Sequence, residues 1–204
     1  MIHTVIVPGV GGSEHTHWQS WLQRQLMSCS RVQQKDWNDP VLETWISEFV
    51  NTVAPIQGKI QIVAHSFGCL TTVAALAQHP ELNQKIKNLI LVAPANPARF
   101  GEAGFARDSQ QDYQDYQDYF HQLKIEVPTT LLMSENDPWL NFEDAQCLAQ
   151  AWKLNPINLG QVGHINVASG FGPFPEIYDY LISENVLQHI NFSDESKCYF
   201  KFAI

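Results

Sequence analysis

The sequence has few cysteines and no spacing that would pair them. Its four cysteines stand singly along 204 residues, without a C-x-x-C pair or the dense framework of small secreted domains. They are Cys29, Cys69, Cys147 and Cys198. We interpret them as reduced and mostly buried thiols, which excludes a fold stapled by disulfides.

Basic residues are also scarce. The chain has 12 Lys and Arg against 21 Asp and Glu, which gives a formal net charge of -9. Neutralising the phosphates of nucleic acid or of an anionic membrane needs an excess of Lys and Arg. We therefore expect no nucleic-acid partner, whereas small neutral or cationic substrates stay open.

Long apolar runs are missing as well. No run approaches the ~18 residues of a membrane-spanning helix. The first residues, MIHTVIVPG, contain neither a basic region nor an apolar segment followed by a cleavage site. A cytoplasmic protein without a membrane span is expected. With 45% hydrophobic and 16% charged residues, the composition is typical of one compact globular domain.

Short apolar segments alternate with longer segments of helical character. This alternation predicts an α/β fold, with a parallel sheet covered by helices on both faces. The predicted strands are Ile2–Val7, Arg31–Lys35, Lys59–Ala64, Asn88–Ala93, Thr129–Met133 and Pro156–Leu159. The predicted helices are His17–Cys29, Pro40–Ala54, Gly68–Gln78, Asp108–Leu123, Asn141–Trp152 and Phe174–Gln188.

Two segments stand apart from this pattern. A triple Gln-Asp-Tyr repeat occupies residues 111–119, and its period of three would not keep the tyrosines on one helix face. We interpret it as a solvated acidic helix, with a mobile flap beside a site as the alternative. Residues 1–188 form the predicted domain. The tail at 189–204 ends in an aromatic and apolar run that could add a strand or hold a partner.

A serine stands where a predicted strand turns into a predicted helix. The sequence AHSFG at residues 64–68 puts a small residue two positions away from Ser66 on each side. This is the form of the G-x-S-x-G nucleophile elbow, with Ala in place of the first Gly. Ligands of open parallel sheets bind at the carboxyl ends of strands, so Ser66 is a candidate nucleophile. An ordinary strand-to-helix turn is the alternative.

A serine nucleophile needs a base, and the base needs an acid to orient it. Asp137 follows the predicted strand Thr129–Met133, and His164 follows the last predicted strand. The order Ser66, Asp137, His164 is that of the α/β-hydrolases. Alternatives stay open: Asp137 could belong only to a turn and His164 only to a loop. The other candidate acids are Glu135, Glu143 and Asp144.

The remaining histidines are weaker candidates. His65 precedes the serine and is expected to pack, while His79 and His121 are interpreted as surface residues. His15 and His17 lie two positions apart, which is a poor spacing for a metal ion on a helix. No metal site is therefore predicted.

The first predicted strand runs into a glycine-rich turn, VPGVGGS at residues 7–13. The turn lacks the Lys of a P-loop and does not match G-x-G-x-x-G. We predict instead that the backbone N–H groups of Val10 and Phe67 form an oxyanion hole, with Gly11 as the alternative donor.

These residues resemble those of the small α/β-hydrolase family that includes retinoblastoma-binding protein 9 and the bacterial YdeN-like serine hydrolases. The matching segments are PGVGGSEHTHWQSWL at 8–22, DWNDPVLETW at 36–45, AHSFG at 64–68, ENDP at 135–138 and GHINVASGFGPFPE at 163–176. The resemblance implies a three-layer αβα sandwich with a roughly six-stranded parallel sheet and no large cap domain. It also implies triad roles for Ser66, Asp137 and His164. Phe174 departs from the motif, where Trp is expected, and no L-x-C-x-E segment supports binding of the retinoblastoma protein.

Together these features predict a serine hydrolase that cleaves small ester, thioester or amide bonds and needs no cofactor. Trp18, Trp139 and Phe171 are candidate walls of a shallow substrate pocket, with core packing as the alternative for each. A non-catalytic or regulatory protein-binding member of the same fold is the competing class, since fold does not fix function. The sequence identifies no protein partner.

Overall fold

The computed structural model describes residues 2–106 and 114–182. The main strands are β1 His3–Val7, β2 Cys29–Arg31, β3 Ile60–Ser66, β4 Ile86–Pro94, β7 Thr129–Met133 and β8 Ile157–Asn158, and a short antiparallel pair consists of β5 Phe100–Gly101 and β6 Gly104–Phe105. The six main strands pair in parallel in the order β2-β1-β3-β4-β7-β8.

Helices connect these strands. In the described residues the α-helices are α1 Trp18–Gln25, α2 Leu42–Val53, α3 Phe67–Gln78, α4 Gln117–Gln122 and α5 Phe142–Ala151. Short 3-10 helices span Pro80–Lys85, Pro97–Arg99, Val167–Ser169 and Pro175–Tyr180. Polar side chains define some of the starts: the His17 ring accepts the N–H of Gln19 at α1, and Asn141 caps α5.

The sheet carries a hydrophobic core on each face. In β1, Val5 and Val7 join one cluster whereas Ile6 joins the other, because successive strand residues point to opposite faces. Helices α2, α3 and α5 cover the first face, and α1 with the 3-10 helix Pro175–Tyr180 covers the second. The three layers and the six-stranded parallel sheet confirm the predicted fold class.

The second strand and the first helix differ from the prediction. β2 lies mostly before the predicted Arg31–Lys35, because its pairing with β1 ends where Ile6 stands opposite Arg31. α1 ends earlier than predicted, at Gln25, since the backbone of Leu26 is already extended.

Two predicted helices are also shorter or different in kind. Within the described part of Asp108–Leu123, the α-helix covers Gln117–Gln122, and Asp115 instead pairs with Gly101 in an isolated bridge. The Asp115 carboxylate accepts the N–H of residue 117, which starts the helix there. The described part of Phe174–Gln188 is a 3-10 helix followed by an extended residue.

Some predictions fall outside the described residues. They concern residues 108–113, which include the start of the Gln-Asp-Tyr repeat, residues 183–188 of the last predicted helix, and the whole tail at 189–204. Among the residues that are described, none of the helices has the length and apolar character needed to cross a membrane.

The sheet brings the candidate residues to one edge. Ser66 is the last residue of β3, and β3 lies at the centre of the sheet between β1 and β4. Asp137 follows β7 and His164 follows β8, at the same carboxyl edge. The glycine-rich turn after β1 adjoins this edge as well, since β1 pairs directly with β3.

Candidate active site

Ser66 stands on a strained turn between β3 and α3. Its backbone has φ 56° and ψ -126°, a conformation that residues with a side chain rarely adopt. A Cβ on Gly68 would lie 2.5 Å from the carbonyl oxygens of Val7 and Pro8. A Cβ on Gly9 would lie 2.7 Å from the Cβ of Ser66. The tight turn therefore requires glycine at both places, and it turns Ser66 toward a cavity at the edge of the sheet.

A chain of hydrogen bonds joins Ser66, His164 and Asp137. The Ser66 hydroxyl oxygen lies 2.9 Å from His164 Nε2, and His164 Nδ1 lies 2.8 Å and 3.0 Å from the two Asp137 carboxylate oxygens. Because a carboxylate only accepts, Nδ1–H donates to Asp137 and Nε2 is free to accept from Ser66. His164 and Asp137 are 6% and 7% exposed. This geometry can remove the Ser66 proton and hold the resulting imidazolium against a buried carboxylate.

The carboxylates that were alternatives to Asp137 bind elsewhere. Glu135 and Asp144 accept hydrogen bonds from asparagine side chains, at 2.9 Å and 2.7 Å. In the described part of the chain, Asp137 is the carboxylate within hydrogen-bond distance of His164, and Glu143 is not.

Two polar residues that sequence analysis did not single out hold the loop of His164. Asn136 Oδ1 accepts the N–H of Gly163 at 2.7 Å, and the Ser134 hydroxyl donates to the Gly160 carbonyl at 3.2 Å. Both bonds tie the loop after β7 to the loop after β8. Their sequence signal was the run of short polar residues before Asp137, which are side chains that commonly bond to nearby backbone.

Two further histidines surround His164. The ring of His65 lies 4.8 Å from the ring of His164 and 4.9 Å from that of His17. Burial, with the nearness of His164 and His17 adding to it, holds the pKa of His65 well below its usual value. His65 is therefore neutral, and its Nε2–H donates to the His164 carbonyl at 2.9 Å. His65 packs as expected and, in addition, fixes the backbone of the candidate base.

Burial also keeps His17 neutral. Together with smaller contributions from Arg31 and His164, it lowers the pKa of His17 to about 4. Nδ1 of His17 accepts the N–H of Gln19, so the ring proton is on Nε2.

The turn after β1 is held by contacts on two sides. The N–H of Gly11, the alternative oxyanion donor, is bonded to the Trp37 carbonyl at 3.0 Å. The Arg31 guanidinium donates to the carbonyls of Gly12 and Ser13, at 2.6 Å and 2.7 Å. In the residues described here, these contacts leave the N–H of Val10 without an acceptor at the edge of the cavity. As the first residue of α3, Phe67 likewise has an N–H with no acceptor inside its helix.

A cavity of about 330 Å³ opens above Ser66 and His164. Among its lining residues, Phe105, Trp139 and Val167 are 40%, 44% and 46% exposed. They are three of the five large apolar side chains that are exposed in the described residues. Exposed apolar groups gathered around a polar centre are typical of a binding site.

The structure corrects two of the three predicted pocket walls. Trp139 lines the cavity, but Trp18 and Phe171 do not. Trp18 is fully buried and its indole N–H donates to the Ile165 carbonyl at 2.8 Å, so it supports the His164 loop from below. Phe171 packs its ring edge-on against Phe174, 5.0 Å away. Phe174, the residue that departs from the family motif, is itself buried in this core and not in the cavity.

The chain matches a family of known proteins over most of its length. The family model described as serine hydrolase matches residues 4–183. A comparison with curated proteins finds no match.

Solved structures with the same architecture include YdeN-like hydrolases. The YdeN-like hydrolase of Pectobacterium atrosepticum is 30% identical, with a TM-score of 0.71 over 88% of this chain and 90% of that one. The ydeN gene product of B. subtilis is 20% identical, with a TM-score of 0.65 over 88% of this chain and 96% of that one. Est1E of Butyrivibrio proteoclasticus, solved with ferulic acid bound, is 16% identical, with a TM-score of 0.58 over 81% and 82%. The last two likenesses concern the fold alone.

Proposed function

Since the chain belongs to the serine hydrolase family and has the α/β-hydrolase fold, we propose that it cleaves small ester, thioester or amide bonds through an acyl-enzyme on Ser66. The observation that carries this proposal is the hydrogen-bonded series Ser66, His164, Asp137 at the floor of an open cavity. A hydrogen bond between His164 and Asp137 would not by itself require a serine with a strained backbone beside them. The strain at Ser66 therefore favours a catalytic role for the three residues.

The geometry supports a reaction in two steps. His164 Nε2 accepts the proton as Ser66 Oγ bonds to the carbonyl carbon, and Asp137 stabilises the imidazolium through Nδ1–H. His164 then gives that proton to the leaving alcohol, thiol or amine, and the acyl group stays on Ser66. His164 then deprotonates a water molecule that attacks the acyl carbon, and it returns this proton to Ser66 Oγ as the acyl C–O bond breaks and the acid is released.

Backbone N–H groups complete the proposed machinery. The N–H of Val10 and the N–H of Phe67 are assigned to the oxyanion of the tetrahedral intermediate, since neither is taken up by the contacts described above. Both belong to segments with fixed backbones: the turn bound by Arg31, and the first residue of α3. Donors fixed in this way need no reorganisation when the negative charge develops.

The competing proposal is a binding or regulatory protein that keeps the fold without catalysis. Reaction of the native protein with a fluorophosphonate separates the two, because this probe bonds to an activated serine. We expect stoichiometric labelling of the native protein and of Ser47→Ala, a matched control on the exposed face of α2, and none of Ser66→Ala. Absence of labelling in folded native protein would support the non-catalytic alternative.

Asp137→Asn should lower kcat on a small ester by about 10⁴, because the amide favours the wrong histidine tautomer.

A further inference from the structure

Arg99 places a cation in the cavity beside the candidate base. It ends the 3-10 helix Pro97–Arg99 and lines the cavity together with Ser66 and His164. Its guanidinium carbon lies 4.2 Å from the centroid of the Trp139 ring. That ring lies 6.2 Å from the ring of His164. Arg99 and Trp139 therefore form one wall of the cavity, next to the base.

The guanidinium of Arg99 has no anionic partner among residues 2–106 and 114–182. The ion pairs in this part of the chain are Lys35 with Glu48, His79 with Glu81, and His164 with Asp137. A guanidinium that lies over an aromatic ring can keep N–H groups available as hydrogen-bond donors. Glu14, the acidic residue of the lining, comes from the turn after β1 and is not paired with Arg99 in this part of the chain.

We propose that Arg99 binds a carboxylate on the acyl chain of the substrate while Ser66 attacks the scissile carbonyl; this rests on the proposed function. A carboxylate is planar and can accept two parallel N–H bonds from one guanidinium. A dianionic phosphate fits less well, because a single arginine would have to neutralise its two negative charges and Glu14 lines the same cavity. The net charge of -9 does not oppose this assignment. Salt largely screens the interaction between exposed charges that lie more than about 8 Å apart, whereas Arg99 would contact the carboxylate directly.

The remaining lining suits the chain between the two ends of such a substrate. Phe100 and Phe105 stack at 5.3 Å and line the cavity, as does Val167. These side chains offer apolar contact to a few methylene groups, while Arg99 and the candidate oxyanion donors bind the polar ends. The structure therefore assigns Arg99 to substrate selection rather than to the bond-breaking step.

Two fluorophosphonate probes of equal length test this assignment, one ending in a carboxylate and the other in the neutral primary carboxamide. The native protein should be labelled at least about tenfold faster by the carboxylate probe, as expected for a hydrogen bond to a charged group. Arg99→Gln should bring the ratio of the two rates close to one, and Arg99→Lys should leave an intermediate ratio, because it keeps the charge without the planar fork. Lys87→Gln removes the same charge at the amino end of β4, away from the cavity, and should keep the native ratio.

Each outcome has a separate meaning. Equal labelling of the native protein by the two probes, or an unchanged ratio in folded Arg99→Gln, overturns the role of Arg99 and leaves the hydrolase proposal intact. The native ratio is decisive even if the variants do not fold. Failure of both probes to label Ser66 in folded native protein overturns the proposed function, and the assignment of Arg99 with it.

Discussion

At the scale of single residues, two buried and neutral histidines, His65 and His17, lie near the candidate base. His164 is held between a hydroxyl and a carboxylate, whereas His65 and His17 are kept neutral chiefly by burial. A protonated His65 or His17 would place a second positive charge beside the imidazolium that forms on His164 during the reaction. Their depressed pKa values therefore favour the charge state that the proposed mechanism needs.

The low pKa of His17 predicts a loss of stability in acid. The unfolded chain binds a proton at this residue as the pH falls through ~6.5, whereas the folded protein binds it only near a pH of about 4. The contribution of neutral His17 is thus fully present above pH ~6.5 and is lost progressively down to about 4. His17→Asn removes the titration and keeps an oxygen that can cap α1. Between pH 7.5 and pH 5, the native protein should lose about 2 kcal/mol more unfolding free energy than this variant.

Urea unfolding at several pH values measures this difference. His79→Asn serves as the matched control, because His79 lies on the surface beside Glu81 and its replacement should change stability by less than about 0.5 kcal/mol. Parallel pH profiles for the native protein and His17→Asn would show that His17 is not the group responsible.

The residues brought together at the site were those whose position follows from chain order. Ser66, Asp137 and His164 could be chosen because each follows a recognisable strand, and the ends of parallel strands converge. Trp18 and Phe171 were wrongly assigned to the pocket, because the direction of an aromatic side chain depends on the path of its loop. Arg99 had no signal of its own, because nothing in the sequence around a lone arginine after a strand shows that it lies over the ring of Trp139.

At the scale of elements, β2 has a role that its length does not suggest. It is three residues long, and its last residue, Arg31, bonds to the turn after β1 and also to Ser20 and Gln23 of α1. The guanidinium thereby fixes the carbonyls of Gly12 and Ser13, in the same turn as Val10, the proposed oxyanion donor. Arg31 is in this sense a positioning residue that joins β2, α1 and the turn.

Removing the Arg31 guanidinium should impair the transition state more than substrate binding. In Arg31→Met we expect kcat on a small ester to fall at least about tenfold with KM changed less than about threefold, because oxyanion contacts form mainly in the transition state. Arg31→Lys, which can reach one of the carbonyls, should recover part of kcat. Arg24→Met is the matched control, since Arg24 is exposed on α1 and bonds to one carbonyl, that of His15. A fall in thermal stability with kcat retained in Arg31→Met would assign Arg31 a structural role alone.

Elements with strong apolar patterns were predicted better than polar ones. β1, β3, β4 and β7 are buried at most positions, so apolar residues in succession marked them. β2 has the sequence CSR and is partly buried, so nothing in its composition distinguished it from the residues that follow. The segment around Asp115 was likewise not predictable from its composition. Its backbone conformation is set by a side-chain hydrogen bond and an isolated bridge, and not by a hydrophobic period.

At the scale of the whole molecule, the described residues contain a complete core. Both faces of the sheet are covered, and the second face is closed by Phe174, Ile177 and Leu181, all of them buried. Hydrogen bonds fasten this segment to the sheet: Asn88 of β4 donates to the Tyr180 carbonyl, and Gln61 of β3 accepts the N–H of residue 182. The family match ends at residue 183, close to this point. We therefore propose residues 1–188 as the folding unit.

A chain that ends at residue 188 should fold and react like the full chain. Its melting temperature is expected within about 4 °C of the native value, which corresponds to less than ~1 kcal/mol for a domain of this size. Fluorophosphonate labelling of Ser66 should proceed at the native rate, because the cavity is lined by residues up to 168. A chain that ends at residue 172 is the control: it lacks three buried apolar side chains worth ~2 kcal/mol or more each, and should melt more than about 10 °C lower. A comparable loss in the 188-residue chain, measured by thermal unfolding under the same conditions, would mean that residues 189–204 belong to the folding unit.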